Sequence, residues 1–391
     1  MCSWQPTLTK RITQVLCLMA AILFSHVIAE PQRFTALTRS EPAKWNTLYI
    51  IGPGVGGNSY GLSEMPARLS AIDLATGREK FVLNQVYDAK LSPNGSLLYV
   101  ASLFKPQISA FATANGRVQW QASLQDLFGY SGIGTDFGAA PNGHFVYIPT
   151  HYGGNDSRPS MLRVVDAAKR VELPNTIKLP MFCGGEILTP VKGNFVYLHC
   201  SNKLIAIDTT TQAIEGEYEL NLPVRASFFA PGGQSLYLFI GTNGLAIFDT
   251  AQRRVVREIS FEPNPLLLNP LSLNIGALLA SSRDGKRLLV VQGLYERQAE
   301  TEYKQTACLF RLFDTGTWRK VAEFRFPSAV FAVAVNARGD VIYAVIAKKT
   351  RAKVERLLLP NTVVELNADS GRIRRQFLRE NENIRRVLIG P

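Results

Sequence analysis

Short apolar runs and tight polar turns alternate along the chain from residue 46 to the C-terminus. The runs are rich in Val, Ile, Leu, Tyr and Phe, and few of them alternate strictly with polar residues. This composition favours strands, and the lack of alternation is typical of strands in a sheet that is covered on both faces. The pattern therefore predicts an all-β chain of many short strands.

One repeated segment is a tight turn followed by an apolar strand, and it occurs six times. The copies are SPNGSLLYV from Ser92, APNGHFVYI from Ala140, PVKGNFVYL from Pro190, APGGQSLYL from Ala230, SRDGKRLLV from Ser282 and NARGDVIYA from Asn336. All six share a Gly at one position. Gly permits the positive φ that short turns between strands need, so each copy predicts a hairpin.

A second repeated segment runs from a strand through a polar turn into a basic or polar strand, and it occurs seven times. The copies are SAIDLATGRE from Ser70, SAFATANGRV from Ser109, RVVDAAKRVE from Arg163, IAIDTTTQAI from Ile205, AIFDTAQRRV from Ala246, RLFDTGTWRK from Arg311 and VELNADSGRI from Val363. Asp or Asn usually stands at the turn entry, where its side chain can bond to its own backbone. Together the two segments predict a unit of four strands, a to d, with short a–b and c–d turns.

Four-stranded antiparallel units that repeat around an axis form a β-propeller. The sequence therefore predicts one domain, residues 30–391, that folds as a seven-bladed β-propeller. The chain enters at 46–51 as a b strand, and a lone apolar strand, 384–390, follows the last d strand. We expect this terminal strand to be the innermost strand of blade one, which closes the ring without an open edge. The alternative is a two-domain all-β chain with coincidental turns.

The N-terminus has the pattern of an export signal. Lys10 and Arg11 form a positive region, residues 12–28 form an uncharged apolar core, and Ala29 is the small residue that a signal peptidase expects. We expect residues 1–29 to be a cleaved signal peptide and the mature protein to be periplasmic or secreted, with no membrane span after cleavage. The alternative is an uncleaved anchor, for which the apolar run is near the lower length limit.

The formal net charge of the chain is +12. Lys and Arg are scattered, without a basic block beside stacking aromatic residues, so the sequence predicts no nucleic-acid partner. The charge fits solubility together with an acidic partner or an anionic surface.

In a propeller the b–c and d–a connections lie on one face, and here they vary in length. The long connections are 52–68, 126–136, 150–160, 261–274, 292–306 and 347–362. Function usually resides on such loops of a rigid scaffold. The candidate partner or ligand face consists of Tyr60, Tyr130, His151, Tyr152, Asp156, Arg158, Tyr295 and Arg297. For the segment around His151 the alternative is an ordinary solvated loop.

Motifs for catalysis or cofactor binding do not stand out in the sequence. Three histidines follow the signal segment, His144, His151 and His199, and we expect His144 to lie in a turn on the opposite face. A metal centre of several histidines is therefore not expected. The sequence has no Gly-x-Ser-x-Gly elbow and no Cys-x-x-Cys-His haem motif. We predict no catalytic residue, no metal and no cofactor in this chain, while carboxylates brought together by different blades stay open.

Three cysteines follow the signal segment, and two of them flank one predicted hairpin. Cys183 opens strand a of blade four, and Cys200 ends strand b, so the two lie almost opposite each other. Cross-strand neighbours are close to the separation that a disulfide requires. We expect a Cys183–Cys200 disulfide and a buried thiol at Cys308. The alternative is a pair of buried thiols at positions 183 and 200.

Two segments resemble a known family, the heavy chain of methylamine and aromatic amine dehydrogenases. They are CGGEILTPVKGNFVYLHCSNKLIAID from Cys183 and GLYERQAETEYKQTACLFRLFDTGTWRKVAEF from Gly293. The resemblance implies a seven-bladed periplasmic propeller that holds a small light chain, which carries a tryptophan-derived quinone. It also implies that the heavy chain is not catalytic and has a light-chain-like subunit or an electron carrier as its partner. The family disulfide carries over to Cys183 and Cys200.

Two other functions remain open at this point. A stand-alone binding propeller of the YVTN-repeat type has no redox role and no light-chain gene nearby. A lactonase-like hydrolase has polar and charged residues that converge at the mouth of the channel. The segment 104–107 is short where the amine dehydrogenase heavy chain has a long charged connection.

Overall fold

The structure is a computed structural model. It describes residues 46–52, 68–102, 105–125, 137–150, 160–180, 183, 186–200, 202–221, 223–241, 244–261, 277–297, 303–347, 361–377, 384 and 386–390. The chain divides into two compact units, Met1–Ser40 and Glu41–Pro391. The first unit, and with it the expected signal peptide, lies outside the described residues. No helix of the described residues could span a membrane.

Runs of branched and aromatic residues form the strands, and Asp, Asn, Gly and Pro end them. The first strands are β1 Thr47–Gly52, β2 Arg68–Asp73, β3 Glu79–Asn84, β4 Val86–Leu91, β5 Leu97–Ser102, β6 Gln107–Ala112 and β7 Val118–Ser123. Next come β8 Gly138–Ala139, β9 Phe145–Thr150, β10 Met161–Asp166, β11 Val171–Glu172, β12 Ile177–Lys178, β13 Ile187–Leu188, β14 Phe195–Cys200, β15 Lys203–Asp208 and β16 Ala213–Glu219. The remaining strands are β17 Val224–Phe229, β18 Ser235–Ile240, β19 Gly244–Asp249, β20 Arg254–Ser260, β21 Ala277–Ser281, β22 Arg287–Arg297, β23 Tyr303–Asp314, β24 Lys320–Phe326, β25 Val330–Val335, β26 Val341–Ala347, β27 Asn361–Asn367, β28 Ile373–Phe377 and β29 Arg386–Gly390.

The described strands form an all-β propeller with four-stranded antiparallel blades. Five sheets are separate and four-stranded, in the orders β29-β1-β2-β3, β13 to β16, β17 to β20, β21 to β24 and β25 to β28. A sixth sheet has nine strands, in which β4 to β7 adjoin the antiparallel group β8 to β12. These two groups meet at one parallel residue pair, Val171 and Ser123. The prediction of seven blades is thus confirmed in part, as a propeller with five separate four-stranded blades.

The C-terminal strand closes the ring as the sequence predicts. β29 pairs antiparallel with β1, from Thr47 opposite Gly390 to Ile51 opposite Arg386. Ile384 precedes the strand and is buried in the apolar cluster that β29 and β1 share with the β25–β28 sheet. The first sheet therefore combines the two ends of the described chain.

Every c–d turn contains one residue with positive φ at the same position, four residues after the turn entry. These residues are Gly77, Gly116, Arg170, Gln212, Arg253, Trp318 and Gly371. Each c–d turn also bonds to the start of strand b in its own unit, as the Thr113 N–H donates to the Ser96 carbonyl (3.1 Å) and the Thr209 N–H to the Asn194 carbonyl (2.7 Å). The a–b and c–d turns consequently lie side by side at one end of the sheets, which we call the turn end. The opposite end, which carries the b–c and d–a connections, is the connection end.

Apolar side chains between neighbouring sheets form the core. One cluster joins Leu198, Ile205 and Ile207 to neighbours from β9 and β10, and another joins Leu204 and Tyr197 to β18 and β19. The innermost strands also contact one another in sequence: β29 with β4, β13 with β17, β17 with β21, β21 with β25, and β25 with β29. Burial on both faces explains why the strands show little alternation of apolar and polar residues.

Candidate functional site

The connection end lies largely outside the described residues, and with it most of the candidate face. Tyr60, Tyr130, His151, Tyr152, Asp156 and Arg158 fall in segments that the structure does not describe. The two remaining candidates, Tyr295 and Arg297, have a described backbone on β22. The structure therefore places two of the eight residues in one hairpin and leaves the rest a prediction.

The expected loop 292–306 is wrong in its extent. β22 continues through Arg297, and β23 begins at Tyr303, with Tyr295 opposite Gln305 and Arg297 opposite Tyr303. The charged residues of this segment are typical of a loop, but strand-favouring Tyr and Thr alternate with them and the ladder continues. The resulting long hairpin extends from the connection end.

Five polar and charged residues of the innermost strands and their neighbours form an inner-strand charge cluster. They are Asp88 and Lys90 of β4, Glu186 just before β13, His199 of β14, and Arg386 at the start of β29. They come from three different sheets. Titratable groups thus converge near the propeller axis, and such a convergence is a candidate ligand site.

Strand register explains why these residues meet. The inner-strand residues opposite the repeated tyrosine are Leu388 (with Tyr49), Lys90 (with Tyr99) and Leu188 (with Tyr197). Arg386, Asp88 and Glu186 each lie two residues before those positions, so they share one level and one side of the inner strands. Lys90 lies one step further towards the turn end and reaches across to Glu186.

Ion pairs connect the cluster across sheets. Lys90 Nζ lies 3.1 Å from Glu186 Oε1, and Arg386 Nη1 lies 3.4 Å from Asp88 Oδ2. The Lys90 side chain is 14% exposed and Glu186 is 37% exposed. The two anions and two cations balance each other, so a charge brought in by a ligand has to compete with an existing pair.

The cluster also sets the protonation of its members. Burial raises the pKa of Glu186, but the charges of Lys90 and Arg386 outweigh it and hold this pKa below its usual value. Burial lowers the pKa of His199; the Glu186 carboxylate opposes this shift, and Lys90 adds to it. The Glu186 backbone N–H donates to His199 Nε2 at 3.4 Å. His199 is thus a neutral imidazole whose Nε2 already accepts a hydrogen bond, which leaves it poorly placed as a general base.

Sequence reasoning missed this cluster, although it left a signal. Asp88 and Lys90 interrupt the inner strand VYDAKL, and His199 interrupts the apolar strand FVYLHC. A polar residue on a buried strand needs a partner, so it indicates a contact of some kind. The partners of Asp88 and Lys90 belong to other sheets, at sequence separations that no local pattern reveals, whereas His199 lies beside Glu186 of its own hairpin.

Two buried ion pairs on c strands are structural. Arg163 forms a two-pronged pair with Glu172, and Arg311 bonds to Glu323 (2.9 Å) and to the Gln292 side chain (2.8 Å). Both arginines stand three residues before a turn aspartate. Their donors face carboxylates of the adjacent d strand, so these pairs hold strands together within one sheet.

The predicted disulfide is present. Cys183 and Cys200 are bonded with their Cα atoms 4.5 Å apart, and Cys308 is a buried thiol on β23. Cys183 precedes β13 by four residues, so it does not open strand a as expected; the described ladder there is confined to Ile187–Leu188. Among the described residues, no group of three or more His, Cys, Asp or Glu side chains could hold a metal ion.

No protein-family model matches the chain. No curated protein matches it. Solved structures resemble it in fold. Hydrazine synthase of Kuenenia stuttgartiensis is similar with a TM-score of 0.51 and 16% identity, over 81% of this chain and 80% of that one.

Two further structures are similar over most of the chain. A functionally unknown protein from Desulfotomaculum acetoxidans has a TM-score of 0.57 and 14% identity, over 88% of this chain and 99% of that one. The β-propeller domain of Swd1 from Myceliophteria thermophila has a TM-score of 0.51 and 12% identity, over 76% of this chain and 88% of that one. At these identities the likeness defines the class of protein, a β-propeller, and nothing finer.

Proposed function

We propose that this chain is an exported, seven-bladed β-propeller that serves as the non-catalytic, partner-binding subunit of a periplasmic amine-oxidising or electron-transfer complex. Two observations support seven blades. The c–d turn recurs seven times with a positive-φ residue at the same position. The two halves of the nine-stranded sheet touch at a single residue pair and contain one c–d turn each. On this interpretation β4 to β7 and β8 to β12 are separate blades.

The asymmetry between the two ends of the propeller carries the functional proposal. The turn end repeats one short design in every unit. The connection end carries the longer segments 53–67, 126–136, 151–159, 262–276 and 348–360. Variable loops on a rigid scaffold are where binding usually resides, and six of the eight candidate residues lie in these segments. Aromatic residues such as Tyr60, Tyr130 and Tyr152 suit a protein interface.

The proposed partner is a small light-chain-like subunit or an electron carrier. Amine oxidation needs an electron sink. Side chains alone do not supply one, whereas a cofactor does. In the proposed complex the tryptophan-derived quinone resides on the light chain, and this chain binds no cofactor of its own. The Cys183–Cys200 disulfide, at the position that the family resemblance implies, supports this kinship.

The test is dye-linked oxidation of primary amines by the purified chain, with and without a co-expressed small cysteine-rich exported protein encoded beside its gene. We expect no turnover and no quinone absorption for the chain alone, and turnover only when both are present. Turnover by the chain alone contradicts the proposal and makes the chain an enzyme. The absence of any such neighbouring gene favours the stand-alone YVTN-type binding propeller.

Interface variants locate the partner. Tyr60→Ala combined with Tyr152→Ala removes aromatic contacts at the connection end, and we expect the two subunits to bind about tenfold more weakly or worse. Arg117→Gln combined with Arg319→Gln alters exposed side chains at the turn end only, so this control pair retains full binding. Equal weakening by both pairs contradicts the proposed face.

A hydrolase of the lactonase type is the second candidate, because the inner-strand charge cluster brings charged groups together near the axis. Its carboxylates are already paired with Lys90 and Arg386, which argues against a general acid or base there. Lactone and aryl-ester hydrolysis by the purified chain tests this reading. Activity that disappears in Glu186→Gln supports the hydrolase, and absence of activity excludes it for these substrates.

A further inference from the structure

Arginines recur in the c–d turns and form a ring at the turn end. The proposed function does not use this end of the propeller. In six of the seven c–d turns an arginine is the positive-φ residue or directly follows it. These residues are Arg78, Arg117, Arg170, Arg253, Arg254, Arg319 and Arg372. All of them are exposed. The exception is the turn at Gln212, where alanine follows.

Most of these guanidinium groups are not used to stabilise the fold. Among the described residues, Arg78, Arg117, Arg170, Arg319 and Arg372 form no side-chain ion pair. The turn aspartates are occupied instead with backbone donors: Asp73 Oδ1 accepts from the Thr76 N–H (2.8 Å), and Asp314 Oδ1 accepts from the Thr317 N–H (2.9 Å). The carboxylates therefore face into the turns, whereas the arginines face solvent.

Exposed aliphatic side chains concentrate at the same end. Among the described residues, six of the seven large hydrophobic side chains that are exposed lie within two residues of a basic residue in or beside a turn. The six are Val118, Val171, Val191, Val256, Val321 and Ile373, at 37–49% exposure. Their basic neighbours are Arg117, Arg170, Lys192, Arg254, Arg319 and Arg372. The pairing of a cation with an exposed aliphatic group thus recurs from unit to unit.

We propose that the turn end is a docking surface for an anionic lipid bilayer. Equivalent positions of units arranged around a closed ring lie on one circle at one end, so only a partner that is flat across the whole propeller can contact them together. Basic side chains are attracted to anionic headgroups, and adjacent aliphatic side chains enter the boundary between headgroups and acyl chains. A small acidic protein contacts only one arc of such a ring, and a linear polyanion gains nothing from the aliphatic groups.

The test is co-sedimentation of the purified full-length chain with vesicles of phosphatidylcholine, with or without phosphatidylglycerol. The turn-end variant combines Arg117→Gln, Arg170→Gln, Arg319→Gln and Arg372→Gln. Of these four residues only Arg170 is the positive-φ residue of its turn. Gln212 occupies the same position in another turn, so Arg170→Gln adds no new backbone strain. The control variant combines Lys105→Gln, Lys178→Gln, Arg225→Gln and Arg325→Gln, which removes the same charge from exposed residues away from the turns. The N-terminal segment is common to all of them and cannot explain a difference.

We expect binding to the phosphatidylglycerol vesicles, about tenfold or more weaker in the turn-end variant and little changed in the control. A third variant, Val118→Ser with Val171→Ser and Ile373→Ser, keeps every charge and is expected to bind several-fold more weakly. Thermal midpoints of all variants verify that they are folded.

Equal binding by the turn-end and control variants overturns the proposal. So does a third variant that binds like the parent while heparin competes fully, because that result assigns the ring to a soluble polyanion. Loss of partner binding at the connection end leaves this test unaffected.

Discussion

At the scale of single residues, the fold withdraws several polar groups from water and gives each a partner. Arg163 and Arg311 are buried against Glu172 and Glu323. Removal of Arg163 leaves the buried Glu172 carboxylate without its cation, whereas Glu323 keeps a second ion pair with Lys320. His199 differs because it is uncharged, and the energy of keeping it uncharged depends on pH. This makes His199 a reporter of the inner-strand charge cluster.

Replacing His199 by Gln is expected to flatten the pH dependence of stability below neutrality. The unfolded chain binds a proton on this imidazole below its ordinary pKa of 6.5, whereas the folded chain, with its lowered pKa, binds it only at lower pH. The contribution of neutral His199 is therefore complete above pH 6.5 and is lost as the pH falls through the folded-state pKa. Urea unfolding between pH 7.5 and about 5 measures this slope.

His144→Gln is the matched control, because His144 is exposed in an a–b turn. It is expected to retain the parental slope. A His199→Gln protein whose stability declines with acid as steeply as the parent's contradicts the burial of a neutral imidazole.

At the scale of elements, the repeat made the strands predictable. The six copies with a shared Gly correspond to β5, β9, β14, β18, β22 and β26, and the seven copies with a polar turn correspond to the c strands and their turns. Local turn chemistry determines these elements, so it is visible in a single sequence. The Cys183–Cys200 disulfide was predicted from an assumed hairpin register. The bond is present, but the observed register pairs Ile187 with Leu198, so Cys183 reaches Cys200 from the segment before β13.

Features that depend on contacts between sheets could not be predicted from the sequence. The Lys90–Glu186 pair joins residues 96 positions apart, and the meeting point is set by how the sheets are arranged around the axis. The extension of β22 and β23 was missed because charged residues mask a ladder that continues through cross-strand pairing. The candidate face itself lies mostly in segments outside the described residues, so it remains a prediction.

Gly116, in a c–d turn, packs closely against the neighbouring sheet, so its substitution tests this packing. Gly116 has φ of +68°, and a Cβ there would lie 2.6 Å from the Phe81 ring of the preceding sheet. We expect Gly116→Ala to destabilise the protein by about 2 kcal/mol or more, from backbone strain and overpacking together. Urea or thermal unfolding gives the value.

Two other glycines separate the causes. Gly193 has φ of +110° with open space around its Cα, so Gly193→Ala isolates the strain and should cost about 1–2 kcal/mol. Gly232 has neither strain nor a close neighbour, and Gly232→Ala should remain within about 0.5 kcal/mol of the parent. If Gly116→Ala costs no more than Gly193→Ala, the proposed packing of turn against Phe81 is wrong.

At the scale of the whole molecule, the ring depends on one short strand. β29 supplies the innermost strand of the first sheet and buries Val387 and Ile389 between that sheet and the β25–β28 sheet. Arg386 adds an ion pair to Asp88 of β4, so β29 touches the units on both sides. Without β29 the inner edge of β1 loses its hydrogen-bond partners, and two neighbouring sheets lose the apolar surface that they share.

We expect Ile389→Ala to lower the free energy of unfolding by about 2–4 kcal/mol, because a truncated side chain leaves a cavity at the junction of two sheets. Truncation after residue 383 should go further and abolish cooperative unfolding, since the first sheet then has an open inner edge. Ile373→Ala is the matched control: Ile373 is 49% exposed on the outer strand β28, and its truncation should cost less than about 0.5 kcal/mol. Urea unfolding monitored by tryptophan fluorescence measures all three. A truncated chain as stable as the parent would show that closure by the C-terminal strand does not hold the ring together.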